Sequence, residues 1–174
     1  MNQKRKDQQK KLERELLLGK LNSKEGAHQL VLILDNLKEG FNISKIIRTA
    51  EAFSLKEVHI IGTEFFDPYP AKGAIKRVNL KFYTHLHDSI HELTRENYNV
   101  YLFDIDADTY IHENKLSKKS AFIFGNEEMG TNIEDVDHKI LRKTKIQQFG
   151  LTESLNVSIA ASIASYEYLR QTAL

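Results

Sequence analysis

Leu30-Val31-Leu32-Ile33-Leu34-Asp35-Asn36-Leu37-Lys38-Glu39-Gly40-Phe41-Asn42 is the stretch that decides how this chain folds. Its opening run of apolar residues, with no polar alternation, marks a strand covered on both faces, as in a parallel sheet. The turn that follows has a single glycine beside a Lys-Glu pair. It therefore cannot be the glycine-rich loop that opens the first helix of a dinucleotide-binding fold. No Gly-Lys-Ser/Thr sequence occurs anywhere, which excludes a P-loop NTPase.

Outward from this strand, similar runs recur at Val58–Ile61, Leu80–Tyr83, Val100–Ile105, Ala121–Phe124 and around Ile146–Phe149. Helix-period stretches lie between or after them at 42–54, 87–97, 133–142 and 154–171. Alternating strands and helices predict an α/β fold: a mostly parallel sheet with helices on both faces. Ahead of the first strand, residues 8–21 combine strong helix formers with Leu12, Leu16, Leu17 and Leu21, so a helix that docks on the body is expected. The chain thus divides into a basic helical arm, 1–27, and an α/β domain, 28–174. The irregular stretch 63–79 holds Pro68, Pro70 and Gly73, and a loop that long in a compact domain is usually functional.

With 174 residues, 41% hydrophobic and 28% charged, the chain fits one globular unit with a sizeable core. The absence of cysteine excludes disulfide scaffolds, thiol nucleophiles and Cys-ligated zinc. No apolar run approaches the ~20 residues that span a bilayer. The opening Met1-Asn2-Gln3-Lys4-Arg5-Lys6 does not read as a secretory signal, so a cytoplasmic protein with no membrane partner is expected. Net charge is +1, yet residues 1–27 hold eight basic and four acidic side chains while the remainder holds 17 and 20. A basic arm on a mildly acidic body suits a polyanionic partner. Charge alone fits a solvated amphipathic helix equally well.

Ligands of open α/β sheets sit at the carboxyl ends of the strands. Here the glycine-bearing loops come late: Gly125-Asn126-Glu127-Glu128-Met129-Gly130 after one strand, and Gly150 before Glu153-Ser154-Leu155-Asn156. Two such loops leaving adjacent strand ends would form one pocket lined by backbone N–H and C=O groups. Either glycine alone could simply permit a tight turn.

Three ordered motifs carry a resemblance. They are Asn42-Ile43-Ser44-Lys45-Ile46-Ile47-Arg48-Thr49-Ala50-Glu51-Ala52-Phe53, then Phe124-Gly125-Asn126-Glu127-Glu128-Met129-Gly130, then Glu153-Ser154-Leu155-Asn156-Val157-Ser158-Ile159-Ala160. From about Leu30 to Gln171 the chain resembles the SPOUT superfamily, specifically the SpoU/TrmH-type RNA ribose 2′-O-methyltransferases. It departs at Gln147, where the family usually has Pro, and at Glu128 and Ser54, where the family often has Gly. The resemblance implies a C-terminal trefoil knot, bound S-adenosylmethionine, and a homodimer whose active site takes residues from both subunits. It also implies an RNA substrate, with tRNA preferred over rRNA because a short basic arm suits a compact target. A non-catalytic RNA-binding protein that retains the fold is the competing class.

Methylating a ribose 2′-hydroxyl requires positioning that hydroxyl and stabilising the developing alkoxide. Arg48 lies off the apolar stripe of Ile43, Ile46, Ile47, Ala50 and Phe53, and is assigned that electrostatic role in the partner subunit's site. Its alternative is a surface pair with Glu51. Asn42, Glu127, Ser154 and Asn156 complete the catalytic set. Asn42 could instead cap its helix, Glu127 would orient Arg48 or polar loop atoms, and Glu153 is taken as the cap of the last helix. The cofactor is assigned to backbone groups near Phe103, Asp104, Gly125, Ile146 and Leu155. On the last helix, Ile159, Ile163 and Tyr166 are assigned to the dimer seam.

No metal site is expected. Asp104-Ile105-Asp106-Ala107-Asp108 lacks the Gly and Glu of a calcium loop at Thr109 and Lys115, and His85, His87 and His91 read as surface residues. Lys72, Lys76 and Arg77 could meet RNA phosphates or simply be solvated.

Overall fold

A computed structural model describes residues 3–38, 40–134 and 136–173. Six strands form one sheet: β1 (His28–Asp35), β2 (Leu55–Ile61), β3 (Leu80–Tyr83), β4 (Asn99–Phe103), β5 (Ser120–Phe124) and β6 (Leu141–Thr144). Their spatial order is β3-β2-β1-β5-β4-β6, and every pairing is parallel. Four α-helices accompany them: α1 (Gln3–Asn22), α2 (Asn42–Ala52), α3 (Leu86–Arg95) and α4 (Val157–Thr172).

The unbroken apolar character of β1 follows from its central place. Leu30, Leu32 and Leu34 point into a core shared with Ile43, Ile46, Ile47 and Ala50 of α2 and Ala161, Ala164 and Tyr168 of α4. Val31 and Ile33 point the other way, into a second core with Leu86, Ile90 and Leu93 of α3. With period two along a strand, a two-sided core removes any reason for polar residues.

Helix α1 docks through a narrower stripe than its leucines suggest. Leu12 is buried, but Leu17 and Leu21 are 61% and 75% exposed. The contact face is instead Leu12, Glu15, Leu16 and Gly19. A Cβ on Gly19 would lie 2.8 Å from the carbonyl oxygen of Ile75, so only glycine lets α1 approach the short 3-10 turn Ala74–Lys76 this closely.

Two expectations fail between 133 and 149. The described residues of 133–142 form no α-helix: Ile133 and Val136 pack under the second core, and a 3-10 turn, His138–Ile140, leads straight into β6. The last strand is Leu141–Thr144 rather than Ile146–Phe149. It is an edge strand paired only with β4, so one side is solvated and its sequence carries Arg142 and Lys143.

Beneath α3, β2 turns polar residues into the core. Glu57 and His59 are fully buried. The His59 ring nitrogens lie 2.7 Å from Ser89 Oγ and 3.1 Å from Glu57 Oε1. Lys81 donates to Glu57 and, at 2.6 Å, to Glu92, which also accepts from the Tyr83 hydroxyl. Burial alone would raise the Glu57 carboxyl, but hydrogen bonds and charge from His59 and Lys81 outweigh it and pull it down to about 2. A carboxyl lowered on folding stabilises the protein above its unfolded value of about 4.3 and loses that contribution as pH falls through its folded value. Glu57→Gln is expected to cost about 3 kcal/mol in urea unfolding at pH 7, since it leaves a buried network uncompensated. It should also flatten the loss of stability between about pH 4.5 and 2 that the parent protein shows.

Candidate active site

The carboxyl ends of the strands all open on one edge of the sheet, and a cavity of about 340 Å3 lies there. Its floor is the end of β4, Phe103 and Asp104, and the end of β5, Phe124 and Gly125. Its walls come from the loop after β5 (Asn126, Glu127, Gly130 and Thr131), from Lys145, Ile146 and Gln148 after β6, and from Ser154, Leu155 and Asn156 leading into α4. All five residues assigned to the cofactor therefore meet in one cavity. Residues 146–156 form no helix or strand, so their backbone N–H and C=O groups are not committed to a ladder.

The Phe103 and Phe124 rings stack at 4.6 Å, giving the floor a flat apolar surface. Burial of Asp104 opposes its charge, but the hydrogen bond from Lys143 at 2.7 Å and the N–H of Asp106 prevail and hold its carboxyl below the usual range. Gly125 is required by crowding: a Cβ there would stand 2.5 Å from the carbonyl carbon of Gly130 and 2.6 Å from the amide nitrogen of Thr131. The loop folds back on itself through paired backbone bonds between Asn126 and Gly130.

Three distant segments converge on the cavity rim. Asn42, the first residue of α2, donates to Glu127 Oε1 at 2.7 Å and accepts at 3.2 Å from Asn156. The other oxygen of Glu127 accepts the backbone N–H of Lys38. Beside it the Lys38 ammonium pairs with Glu128, and Asn126 donates to the carbonyl of Asn36. Asp35, at the end of β1, accepts the N–H of Asn132, and burial pushes its carboxyl up. The turn after β1 is thus tied to the loop after β5 at Asp35, Asn36 and Lys38.

Some assignments change. Glu153 is exposed and does not cap α4; the Asn156 side chain does, accepting from the N–H of Ser158 at 3.0 Å. Asn42 is not a cap, because the N-cap position of α2 is Phe41 and has no side-chain bond. Within the chain, Glu127 meets polar groups of the neighbouring turn, the Asn42 amide and the Lys38 N–H. Arg48 lies exposed on α2 outside the cavity, and Glu51 bonds Arg77 at 2.8 Å instead of Arg48. Sequence reading missed Asn126, whose side chain organises the turn by accepting from Glu128 and Met129. An Asn four residues before a Gly is a recognisable turn signal. Lys145 and Gln148 carry no such signal. Elsewhere, Glu57, His59 and Glu92 place ligand atoms within 4.8 Å of one another, but the Lys81 ammonium already bridges the two carboxylates.

The six-stranded all-parallel α/β sheet is the fold of solved TrmH/SpoU structures. Residues 29–166 match the model of the SpoU rRNA Methylase family. A tRNA (guanosine(18)-2′-O)-methyltransferase of Thermus thermophilus is 31% identical over 150 residues, covering 82% of this chain and 75% of its own. The crystal structure of a TrmH/SpoU tRNA modifying enzyme from A. aeolicus superposes with a TM-score of 0.74 at 23% identity, covering 94% of this chain and 83% of that one. An AdoMet-bound rRNA methyltransferase from Sinorhizobium meliloti gives 0.71 at 23% identity, over 90% of this chain and 61% of its own. The protein belongs to the SpoU rRNA Methylase family.

Three substitutions compare the cost of losing the α4 cap with that of crowding the loop after β5. Asn156→Ser is expected to keep α4 capped, with stability within about 0.5 kcal/mol of the parent, whereas Asn156→Ala should cost about 1 kcal/mol in urea unfolding. Gly125→Ala should cost more than either, about 2 kcal/mol, because the clash is with backbone.

Proposed function

We propose that this protein transfers the methyl group of S-adenosylmethionine to a ribose 2′-hydroxyl of RNA. The observation that carries the reading is the convergence of Asn42, Glu127 and Asn156 on a cavity walled by the two late loops. The cavity's composition fits the cofactor: stacked phenylalanines, Ile146, Leu155 and Ala160 for the faces of its purine ring, and uncommitted backbone for its polar edge. When bound, the cofactor supplies an electrophilic methyl on a sulfonium.

The chain's own residues then have to hold the acceptor. Asn156 and Ser154 hydrogen-bond the target ribose, and the Asn42–Glu127 bond keeps the rim rigid while it docks. Arg48 of the partner subunit faces the 2′-oxygen and stabilises the alkoxide as the O–C bond forms and the S–C bond breaks, the hydroxyl proton passing to an RNA phosphate oxygen. A guanidinium stays protonated at working pH, so it acts by charge rather than as a base.

A homodimer follows from that division of labour. Ile159, Ile163 and Tyr166 lie along one side of α4 and are 50%, 40% and 56% exposed, which is unusual for a helix so central to the core and suits a self-complementary seam. The C-terminal segment is read as threaded into a trefoil knot. In support, the N–H of Ile111 donates to Lys145 at 2.8 Å while Gln171 of α4 accepts from Leu116 further along the same 104–119 loop. The division into arm 1–27 and catalytic domain 28–174 is retained, with the arm gripping RNA. Transfer RNA is the favoured substrate, in line with the Thermus relative, and the protein works in the cytoplasm.

The test incubates the protein with methyl-labelled S-adenosylmethionine and either tRNA or rRNA, then maps 2′-O-methyl positions. Label in tRNA is expected; none in either RNA, or no heat with the cofactor in calorimetry, overturns the reading. Arg48→Ala and Arg48→Lys should both lower kcat about 100-fold with cofactor affinity and Tm unchanged. Ile163→Glu should yield an inactive monomer in sedimentation.

A further inference from the structure

A second cleft lies where α1 crosses the start of α2. It measures about 470 Å3 and is lined by Lys4, Arg5 and Gln8 of α1, by Gly40 and Phe41 before α2, and by Phe65 and Asp67 of the long loop. We infer that this cleft seats one RNA nucleotide adjacent to the methylated one, its base stacked on Phe41 and its phosphate held by Lys4. The inference rests on the RNA reading above and specifies where the strand lies.

Four observations support it. Phe41 is 55% exposed, a large aromatic left in solvent, and an aromatic face beside cations is the recurring platform for single-stranded nucleic acid. Arg5 lies over the Phe65 ring at 4.8 Å, so the cleft's back wall is itself a cation–aromatic pair. Phe41 directly precedes Asn42, whose side chain reaches both Glu127 and Asn156, so a base on Phe41 sits beside the catalytic rim rather than on a remote face.

The fourth observation concerns Gln8. Asp67 is buried, and its oxygens accept the Gln8 side-chain amide and, at 2.9 Å, the N–H of Tyr69. The Gln8 NH2 faces Asp67, which leaves its carbonyl oxygen available as an acceptor on a residue that lines the cleft. That oxygen suits the amino edge of adenine, cytosine or guanine and has no partner on a phosphate. Base edge and phosphate are thereby given different partners one turn apart on the same face of α1, Gln8 for the amino edge and Lys4 for the phosphate.

The chain contains no tryptophan, so Phe41→Trp introduces a unique fluorophore at the proposed stacking surface. Titration of F41W with unfractionated tRNA, and separately with total rRNA, should quench its emission at the same concentration that saturates filter retention. Phe41→Ala and the Lys4→Ala/Gln8→Ala pair should each weaken retention about tenfold, with cofactor heat unchanged. Emission that stays constant while RNA is fully retained overturns the cleft, as does retention by F41A within twofold of the parent. Neither readout requires methyl transfer. Quenching without any methylation refutes the proposed reaction and leaves the cleft standing, whereas methylation without quenching does the reverse.

Discussion

Burial of β1 on both faces is the constraint from which the remaining architecture follows. A strand flanked by β2 on one side and β5 on the other, with cores above and below, can be joined to its parallel neighbours only by crossovers. Those crossovers become α2, α3 and the long irregular loops, and they bring every strand's carboxyl end to the same edge. The cavity is therefore a product of direction: the chain leaves β1, β4, β5 and β6 on one side and must turn there.

What stabilises that edge is hydrogen bonding between turns rather than apolar burial. Asn42 spans from α2 to both late loops, and the turn after β1 is fastened to the 126–132 loop by Asp35, Asn36 and Lys38. Such groups have fixed directions, so they hold a rim in one shape while leaving its centre open. The exposed Lys38–Glu128 pair adds little energy on its own but acts where the loop already lies. On the opposite face the Glu57–His59–Lys81–Glu92 network does for β2 and α3 what packing does elsewhere, with charge.

Reading the sequence recovers whatever is buried on two sides. β1, β2, β4 and β5 show as apolar runs because each has cores above and below; β3, an edge strand with no fully buried residue, shows only because three of its four residues are apolar, and α2 shows as an apolar stripe. The sixth strand escapes because Leu141-Arg142-Lys143-Thr144 has a single neighbour and a wet side. Ile146 and Phe149 mimic a strand although one lines the cavity and the other stands in solvent. Ile133, Val136 and Ile140 fall at helical spacing by coincidence of loop packing. Among site residues, the identities are legible through the ordered motifs, but the partners are not. No spacing rule joins Asn42 to Glu127 across 85 residues, or tells that Asn156 rather than Glu153 caps α4.

The parallel pairing of β1 with β5 has a consequence during synthesis. Leu34 pairs with Phe124, so β1 leaves the ribosome 90 residues before the neighbour that closes its flank exists. At roughly 5–20 residues per second, that interval lasts several seconds to nearly twenty. For that time a fully apolar ribbon has one open edge, and its other edge is guarded only by β2. That edge stays unpaired until translation passes the fifth strand, and slowing of elongation within the 63–119 region would lengthen the exposure.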